Sequence, residues 1–309
     1  INQLFISDIR GSQPVALTSG SNSAVDFAPS PDGSRVVYIA QTGDLKNEIW
    51  LADVNSGENK KLADCSEAMC SQPVWSPDGS RVLYEHISLE AANATGLATL
   101  WWVDVNTGTA QSLFQEEQLP GANPRWSPDG KWLSYATSEN IQLYNLENGK
   151  SRVITSALGA SAAWAPDGKS VLYRDVIIQS NQFITQLFIY DLQTKTSTNI
   201  SPDLGFENIL AAWSPDGEWI AVVRRDLSIP RGDQIWLMRA DGTESHAITD
   251  SLNSLHGTLS WSGDGKSILY DLYDLDAFPL ASKLQMVDVA SSKVTDLGIV
   301  GYNPKWLWP

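Results

Sequence analysis

Residues Asn123–Tyr135 read NPRWSPDGKWLSY, and residues Tyr302–Pro309 read YNPKWLWP. The second stretch opens the phrase of the first and stops before its turn. The phrase recurs as PSPDGSRVVY (Pro29–Tyr38), WSPDGSRVLY (Trp75–Tyr84) and WSPDGKWLSY (Trp126–Tyr135). It continues as WAPDGKSVLY (Trp164–Tyr173), WSPDGEWIAV (Trp213–Val222) and WSGDGKSILY (Trp261–Tyr270). Its Asp falls at 32, 78, 129, 167, 216 and 264, at intervals of 46, 51, 38, 49 and 48 residues, and Trp306 follows Trp261 by 45. A period of this size marks a repeat architecture, in which each unit buries its faces only against its neighbours.

The phrase has the chemistry of a tight hairpin. Pro fixes φ, Asp can bond its own backbone, and Gly accepts the positive φ that closes the turn. The residues that follow alternate and are rich in Val, Leu, Ile and Tyr, as a strand requires. A second phrase lies between the copies: LFISDIRGS (Leu4–Ser12), IWLADVNSG (Ile49–Gly57), LWWVDVNTG (Leu100–Gly108) and IQLYNLENG (Ile141–Gly149). It returns as LFIYDLQTK (Leu187–Lys195), IWLMRADGT (Ile235–Thr243) and LQMVDVASS (Leu284–Ser292). Each ends in a polar turn and a further short strand. Every unit is thus four strands: a (to the Trp), b (to the Tyr), c and d.

Four-stranded units of this length predict an all-β fold, a β-propeller of four-stranded blades. The N-terminus supplies an unmatched c–d pair and the C-terminus an unmatched a strand. The expectation is seven blades, six being the alternative, in a single domain spanning residues 1–309. Its closing blade would be a clasp of N-terminal strands 1–20 with C-terminal strand 301–309. No strand b is available for that blade, so either it precedes Ile1 or the closing blade is short. The chain starts without Met and inside a strand, and reads as a mature or excised piece.

At WSPDGxxxxY followed by IWLxDxxxG, the sequence resembles the TolB-type, WD-like propeller repeat, over essentially the whole chain. That repeat is also found in the tricorn protease and in peptidases of the prolyl oligopeptidase class. The resemblance implies either a module that binds protein partners or a gating propeller attached to a hydrolase. There is no Gly-x-Ser-x-Gly nucleophile elbow here, and no length for a hydrolase domain.

Composition narrows the function. Thirty-six acidic against 21 basic side chains give a net charge of −15, which repels phosphate backbones and argues against nucleic acid. No apolar run approaches the ~20 residues that span a bilayer. Cys65 and Cys70, in ADCSEAMCSQP, lack partners for a tetrahedral metal site. They leave two readings, a loop-tightening disulfide or two unpaired thiols, and the disulfide places the protein in the periplasm or outside the cell.

In a propeller the a–b and c–d turns share one face, and the b–c and d–a connections the other. The first face repeats one turn recipe, so its Asp residues are assigned to structure and not to a metal. The second face varies from blade to blade, and long loops on a rigid scaffold are where recognition resides. Immediately after the b-strand Tyr or Val stand Ile39, Glu85, Ala136, Arg174, Val223 and Asp271. One position on stand Ala40, His86, Thr137, Asp175, Arg224 and Leu272. Charge in an otherwise apolar strand must be paired, solvated or retained for binding. The candidate binding residues are therefore Glu85, His86, Arg174, Asp175, Arg224, Asp271 and, from the d–a connection, His256. The alternative is that each finds a salt-bridge partner in an adjacent blade. A histidine metal cluster, as in some polysaccharide lyases, would need His86, His246 and His256 together, and the string Asp271, Asp274, Asp276 lacks the spacing of a known calcium loop. No cofactor motif is present.

The leading expectation is a non-catalytic, extracytoplasmic, monomeric propeller that binds a protein or peptide through the variable face. The alternatives are a carbohydrate lyase or hydrolase using the charged channel mouth, and a structural spacer.

Overall fold

A computed structural model describes residues 1–9, 13–43, 46–65, 67–89, 96–114, 119–159, 162–179, 181–250, 253–278 and 280–307. The chain divides into two compact units, one built mainly from residues up to Thr155 and the other mainly from Ser156 onward.

The first unit opens with β1 (Phe5–Ile6) and β2 (Val15–Ala16), which form a two-stranded sheet. Three four-stranded antiparallel sheets follow. Blade 1 is β3 (Ser23–Pro29), β4 (Arg35–Gly43), β5 (Lys46–Asp53) and β6 (Asn59–Cys65). Blade 2 is β7 (Ala68–Trp75), β8 (Arg81–Ser88), β9 (Thr99–Asp104) and β10 (Ala110–Ser112). Blade 3 is β11 (Ala122–Trp126), β12 (Trp132–Ala136), β13 (Asn140–Asn145) and β14 (Ser151–Thr155). The second unit holds three more. Blade 4 is β15 (Ala163–Trp164), β16 (Ser170–Gln179), β17 (Gln182–Asp191) and β18 (Thr196–Asn199). Blade 5 is β19 (Phe206–Trp213), β20 (Trp219–Asp226), β21 (Gln234–Arg239) and β22 (His246–Ala247). Blade 6 is β23 (Ser254–Trp261), β24 (Ser267–Asp274), β25 (Ser282–Asp288) and β26 (Val294–Val300). In each sheet the four strands lie in chain order, a–b–c–d.

The a–b turn shows why the phrase repeats. In blade 1, Ser30 Oγ and the Ser34 amide both donate to Asp32 Oδ1, Gly33 adopts φ 66°, and Ser30 N–H donates to Arg35 O at 2.8 Å. The same Ser–Asp bond recurs at Ser76–Asp78, Ser127–Asp129, Ser214–Asp216 and Ser262–Asp264. These donors hold the Asp32 carboxyl down to about 2. The turn Asp is occupied by its own loop, as a structural role requires.

The blades pack through alternating apolar faces. Val37, Ile39 and Ile49 of blade 1 meet Val82, Tyr84 and Val103 of blade 2 in one buried cluster. The Trp that opens the phrase adds a directed bond to the preceding blade in blades 2, 5 and 6. Trp75 Nε1 donates to Ala28 O at 2.9 Å, Trp213 to Ala163 O at 3.3 Å and Trp261 to Ala212 O at 3.1 Å. Trp126 departs from this, its buried Nε1 having no hydrogen-bond partner among the described residues.

The expectation of seven blades is corrected to six. Through residue 307 the C-terminal segment forms no strand, and Trp308 and Pro309 lie outside the described residues. Among the described residues neither terminal segment forms a strand b, and without b there is no ladder between an a strand and a c strand. The segment still keeps the beat: Trp306 Nε1 donates to Ser260 O at 2.9 Å, the bond that Trp261 makes one blade earlier.

Candidate binding face

The charges that interrupt the b strands sit beside β-bulges in the a strands. Register shifts occur between Ser71 and Val74, Ala122 and Arg125, Asn208 and Leu210, and His256 and Leu259. A bulge frees backbone groups from the ladder, and buried ones must find other partners. Gln72 and Asn123, each preceding a proline, take φ 51° and 52° there.

In the first unit, Glu85 is buried and supplies one such partner. Its Oε1 accepts from Asn123 N–H at 2.6 Å and its Oε2 from Ser71 Oγ at 2.9 Å. One blade earlier Asp26 does the same, Oδ2 accepting from Gln72 N–H at 2.7 Å. Burial pushes the Asp26 carboxyl up and the Arg125 guanidinium down, while Arg125 interacts electrostatically with both Asp26 and Glu85. His86, on the opposite face of β8, stacks on Trp101 with ring centroids 4.4 Å apart, and burial lowers its pKa. The connection after β8 lies outside the described residues at 90–95.

In the second unit, Arg174 occupies the position of Glu85 with reversed polarity. Its Nη1 donates to the carbonyl of Ile209, the extra residue of the β19 bulge. Asp271, at the same position in blade 6, accepts from Thr258 N–H at 2.6 Å in the β23 bulge. Gly257 is required there, since a Cβ would lie 2.4 Å from Asp271 Oδ2. Asp175 Oδ1 accepts from the amides of Ala157 and Val176, both at 2.9 Å. Arg224 is buried, with Nε donating to Asn208 Oδ1 and Nη1 to Ser245 Oγ, both at 3.0 Å. Its guanidinium lies 5.3 Å from the ring centroids of both Phe206 and Trp236. Burial lowers the pKa of Arg174 and of Arg224.

His256 is also internal. Asp233 Oδ1 accepts from its backbone N–H at 2.9 Å and its Nδ1 at 2.6 Å, while Nε2 lies 3.5 Å from Thr249 Oγ1. Since Nδ1 faces a carboxylate, it is the donor to Asp233. His246 is exposed in β22 and meets Trp219 edge-on. Asp276 pairs with Arg231 at 2.6 Å and Asp274 caps the Asp276 amide, so neither joins the buried Asp271. Among the described residues no group of three His, Cys, Asp or Glu is placed to hold a metal. Cys65 and Cys70 form a disulfide, S–S 2.06 Å, at the junction of blades 1 and 2.

The bulge partners Asp26, Arg125, Asn208 and Asp233 were not singled out from the sequence. A signal existed for the bulges: Gln72-Pro73, Asn123-Pro124 and Asn303-Pro304 each precede a Trp by the same spacing, and Asn303 also has φ 53°.

The b–c end also exposes large apolar side chains. Strand β16 runs to Gln179, six residues past Tyr173, whereas β20 and β24 stop four past Val222 and Tyr270. At its tip Ile178 and Phe183 pair across the hairpin, 66% and 71% exposed. The b–c connection of blade 6 adds Phe278 (100% exposed) and Leu280, and that of blade 5 adds Leu227. None of the exposed large apolar residues among those described belongs to an Asp-Gly turn between strands a and b.

This architecture, six four-stranded blades set by Asp-Gly hairpins, is that of the TolB β-propellers. The family model "TolB beta propeller domain" matches residues 2–185, and the chain belongs to that family. Among relatives it is similar to the "Uncharacterized peptidase YuxL" of Bacillus subtilis (strain 168), 26% identical over 167 residues, 44% of this chain and 25% of that protein. It is likewise similar to the Tol-Pal system protein TolB of Hahella chejuensis, 26% identical over 120 residues, 36% of this chain and 28% of that one. These matches span only about a quarter of each relative's length. The structure of TolB from Acinetobacter baumannii shares the fold, with TM-score 0.60 and 21% identity over 86% of this chain and 64% of that one.

Proposed function

We propose that this chain is an extracytoplasmic, monomeric TolB-type propeller that binds a protein or peptide partner through its b–c/d–a end. The observation that carries the reading is the β16–β17 hairpin. From Val176 to Tyr190 it contains no charged residue, in a chain that is 18% charged, and it holds Ile178 and Phe183 in solvent. Exposed apolar surface on a rigid, projecting element is favourable to keep only where a partner covers it. The seven polar residues Glu85, His86, Arg174, Asp175, Arg224, Asp271 and His256 serve the same end. Most of them hold the bulges and loops from which the connections project, and His86 offers a partly buried edge to a ligand. The disulfide supports an oxidising compartment, the periplasm being the one that fits a TolB-type protein. We also propose that residues 1–309 act as one domain in which the N-terminal strands and the C-terminal segment close the propeller together.

The test is a quantitative pull-down from the native compartment with wild type, Ile178→Ser/Phe183→Ser and Arg174→Ala/Arg224→Ala proteins, each shown folded by circular dichroism. Loss of a partner in the apolar variant is expected. Identical partner profiles for all three would remove this end of the molecule from the function.

A further inference from the structure

Strand b of blade 4 outruns its strand a. In blades 1, 2, 5 and 6 strand a accompanies strand b well past the phrase-final position, to Gln41, Ser88, Asp226 and Asp274. In blade 4, β15 pairs with β16 only at Val171 and Leu172, while β16 continues to Gln179 against β17. Continued at that register, Gly159 would stand opposite Val176. It belongs to no strand, and its N–H donates to Ser156 O at 3.3 Å. Among the described residues no strand lies along the outer edge of Val176–Gln179.

The register defines what that edge offers. Leu192 N–H donates to Lys169 O, so the odd-numbered residues of β16 exchange their bonds with β17. Ser170 faces the other way, its carbonyl accepting from Ala165 N–H at 2.9 Å. Val176 and Ile178 share the parity of Ser170 and direct their N–H and C=O groups outward. The first donor is taken, since Asp175 Oδ1 accepts from Val176 N–H at 2.9 Å. The Val176 carbonyl and both backbone groups of Ile178 face the place where strand a lies in the other blades.

Proteins usually guard such edges with charge, proline or a bulge. The b–c connection of every other blade carries charge, at Asp44, Glu90, Glu139, Arg231 and Asp276. Here Val176–Gln179 reads VIIQ, which is β-prone, uncharged and free of proline, and its pairing with β17 has no register shift. Ile178 and Phe183 pair across the hairpin and so share one face with Val176 and Thr185. The Asp175 carboxylate stands at the inner end of this edge, in a chain of net charge −15, and disfavours an acidic occupant.

We propose that the outer edge of β16 receives an extended segment of the partner polypeptide by strand addition, a mode of binding that rests on the β16–β17 hairpin being the recognition element. The segment runs antiparallel to β16, in the place of strand a. It carries apolar residues at alternate positions, on the face of Ile178 and Phe183, and basic rather than acidic residues towards Asp175.

The probe is a short capped peptide of alternating valine and threonine with a lysine at each end. It is added to the full chain while amide exchange at Ile177, Ile178 and Gln179 is followed. In the free protein the Ile178 amide should exchange faster than its two neighbours, whose bonds run to β17. Saturable protection of Ile178 on adding peptide is expected. Ile178→Pro removes the outward donor and leaves the β16–β17 bonds in place, and should weaken binding about tenfold or more. The same peptide with glutamate in place of lysine should bind more weakly, and one N-methylated at alternate residues should not bind. Absence of protection at millimolar peptide would overturn the proposal. So would equal binding of the N-methylated peptide, a control that holds even if Ile178→Pro disturbs the hairpin. The two readings fail separately: a partner lost with Ile178→Ser/Phe183→Ser yet kept by Ile178→Pro refutes strand addition and leaves the apolar surface as the site.

Discussion

Replacing Glu85 by Ala isolates the role of the bulge partners. The substitution leaves the Asn123 N–H, held at 2.6 Å, without its acceptor inside a buried bulge, and withdraws a partner from Ser71. An unsatisfied buried N–H costs roughly 1–3 kcal/mol, and the lost bond is charge-assisted and at the upper end of that scale. The hydroxyl of Ser71 can rotate to another acceptor and adds little. Loss of the charge that faces Arg125 adds to the penalty, so the total is about 3 kcal/mol. With an unfolding entropy of about 2.1 cal/mol/K per residue, a chain of 309 residues loses roughly 1.5 °C per kcal/mol, or about 5 °C here. Glu85→Gln keeps Oε1 as an acceptor and should lower the melting temperature by only about 1–2 °C. Scanning calorimetry on the three proteins at one pH decides it. If Glu85→Ala melts within a degree of wild type, the carboxylate is not holding the bulge. If Glu85→Gln falls as far as Glu85→Ala, the charge towards Arg125 matters and the hydrogen bond does not.

Deleting residues 302–307 with the terminal pair removes the Trp306 bond to Ser260 and the Asn303 contact with Thr258, and should cost several kcal/mol; an unchanged urea midpoint would refute closure by the chain ends. Reducing the Cys65–Cys70 disulfide opens a very short loop and should cost only about 2 kcal/mol, the far-ultraviolet spectrum being retained; global unfolding on reduction would contradict this. Gly242→Ala places a Cβ 2.2 Å from Ile200 O at φ 87°, whereas Gly298→Ala, at φ 67°, meets nothing within 4 Å. The first should destabilise by well over the ~1 kcal/mol expected for the second, and similar denaturation midpoints for the two would show that the turn of blade 5 is not packed as described.

The sequence by itself determined the blade. Pro-Asp-Gly turns, alternating strands and the Trp beat are local or periodic signals, each readable because the residues that cause the structure lie within a few positions of it. The blade number escaped it. LFISDIRGS carries the c phrase in full, but a sheet requires a neighbour, and whether Phe5 has a strand b depends on residues far away in the chain. The charged b-strand positions divide in the same way. That Glu85, Arg174 and Asp271 are out of place among Val, Leu and Tyr is legible in the sequence. That they face the bulges of β11, β19 and β23 is not, because a bulge's freed N–H or C=O is met by side chains from another strand, 38 residues away for Glu85 and Asn123. The Ile178–Phe183 pair was likewise invisible as a surface. Apolar alternation reads the same whether a face is buried or bare, and among the described residues strand β15 pairs with β16 only at Val171 and Leu172, short of the exposed Ile178 and Phe183.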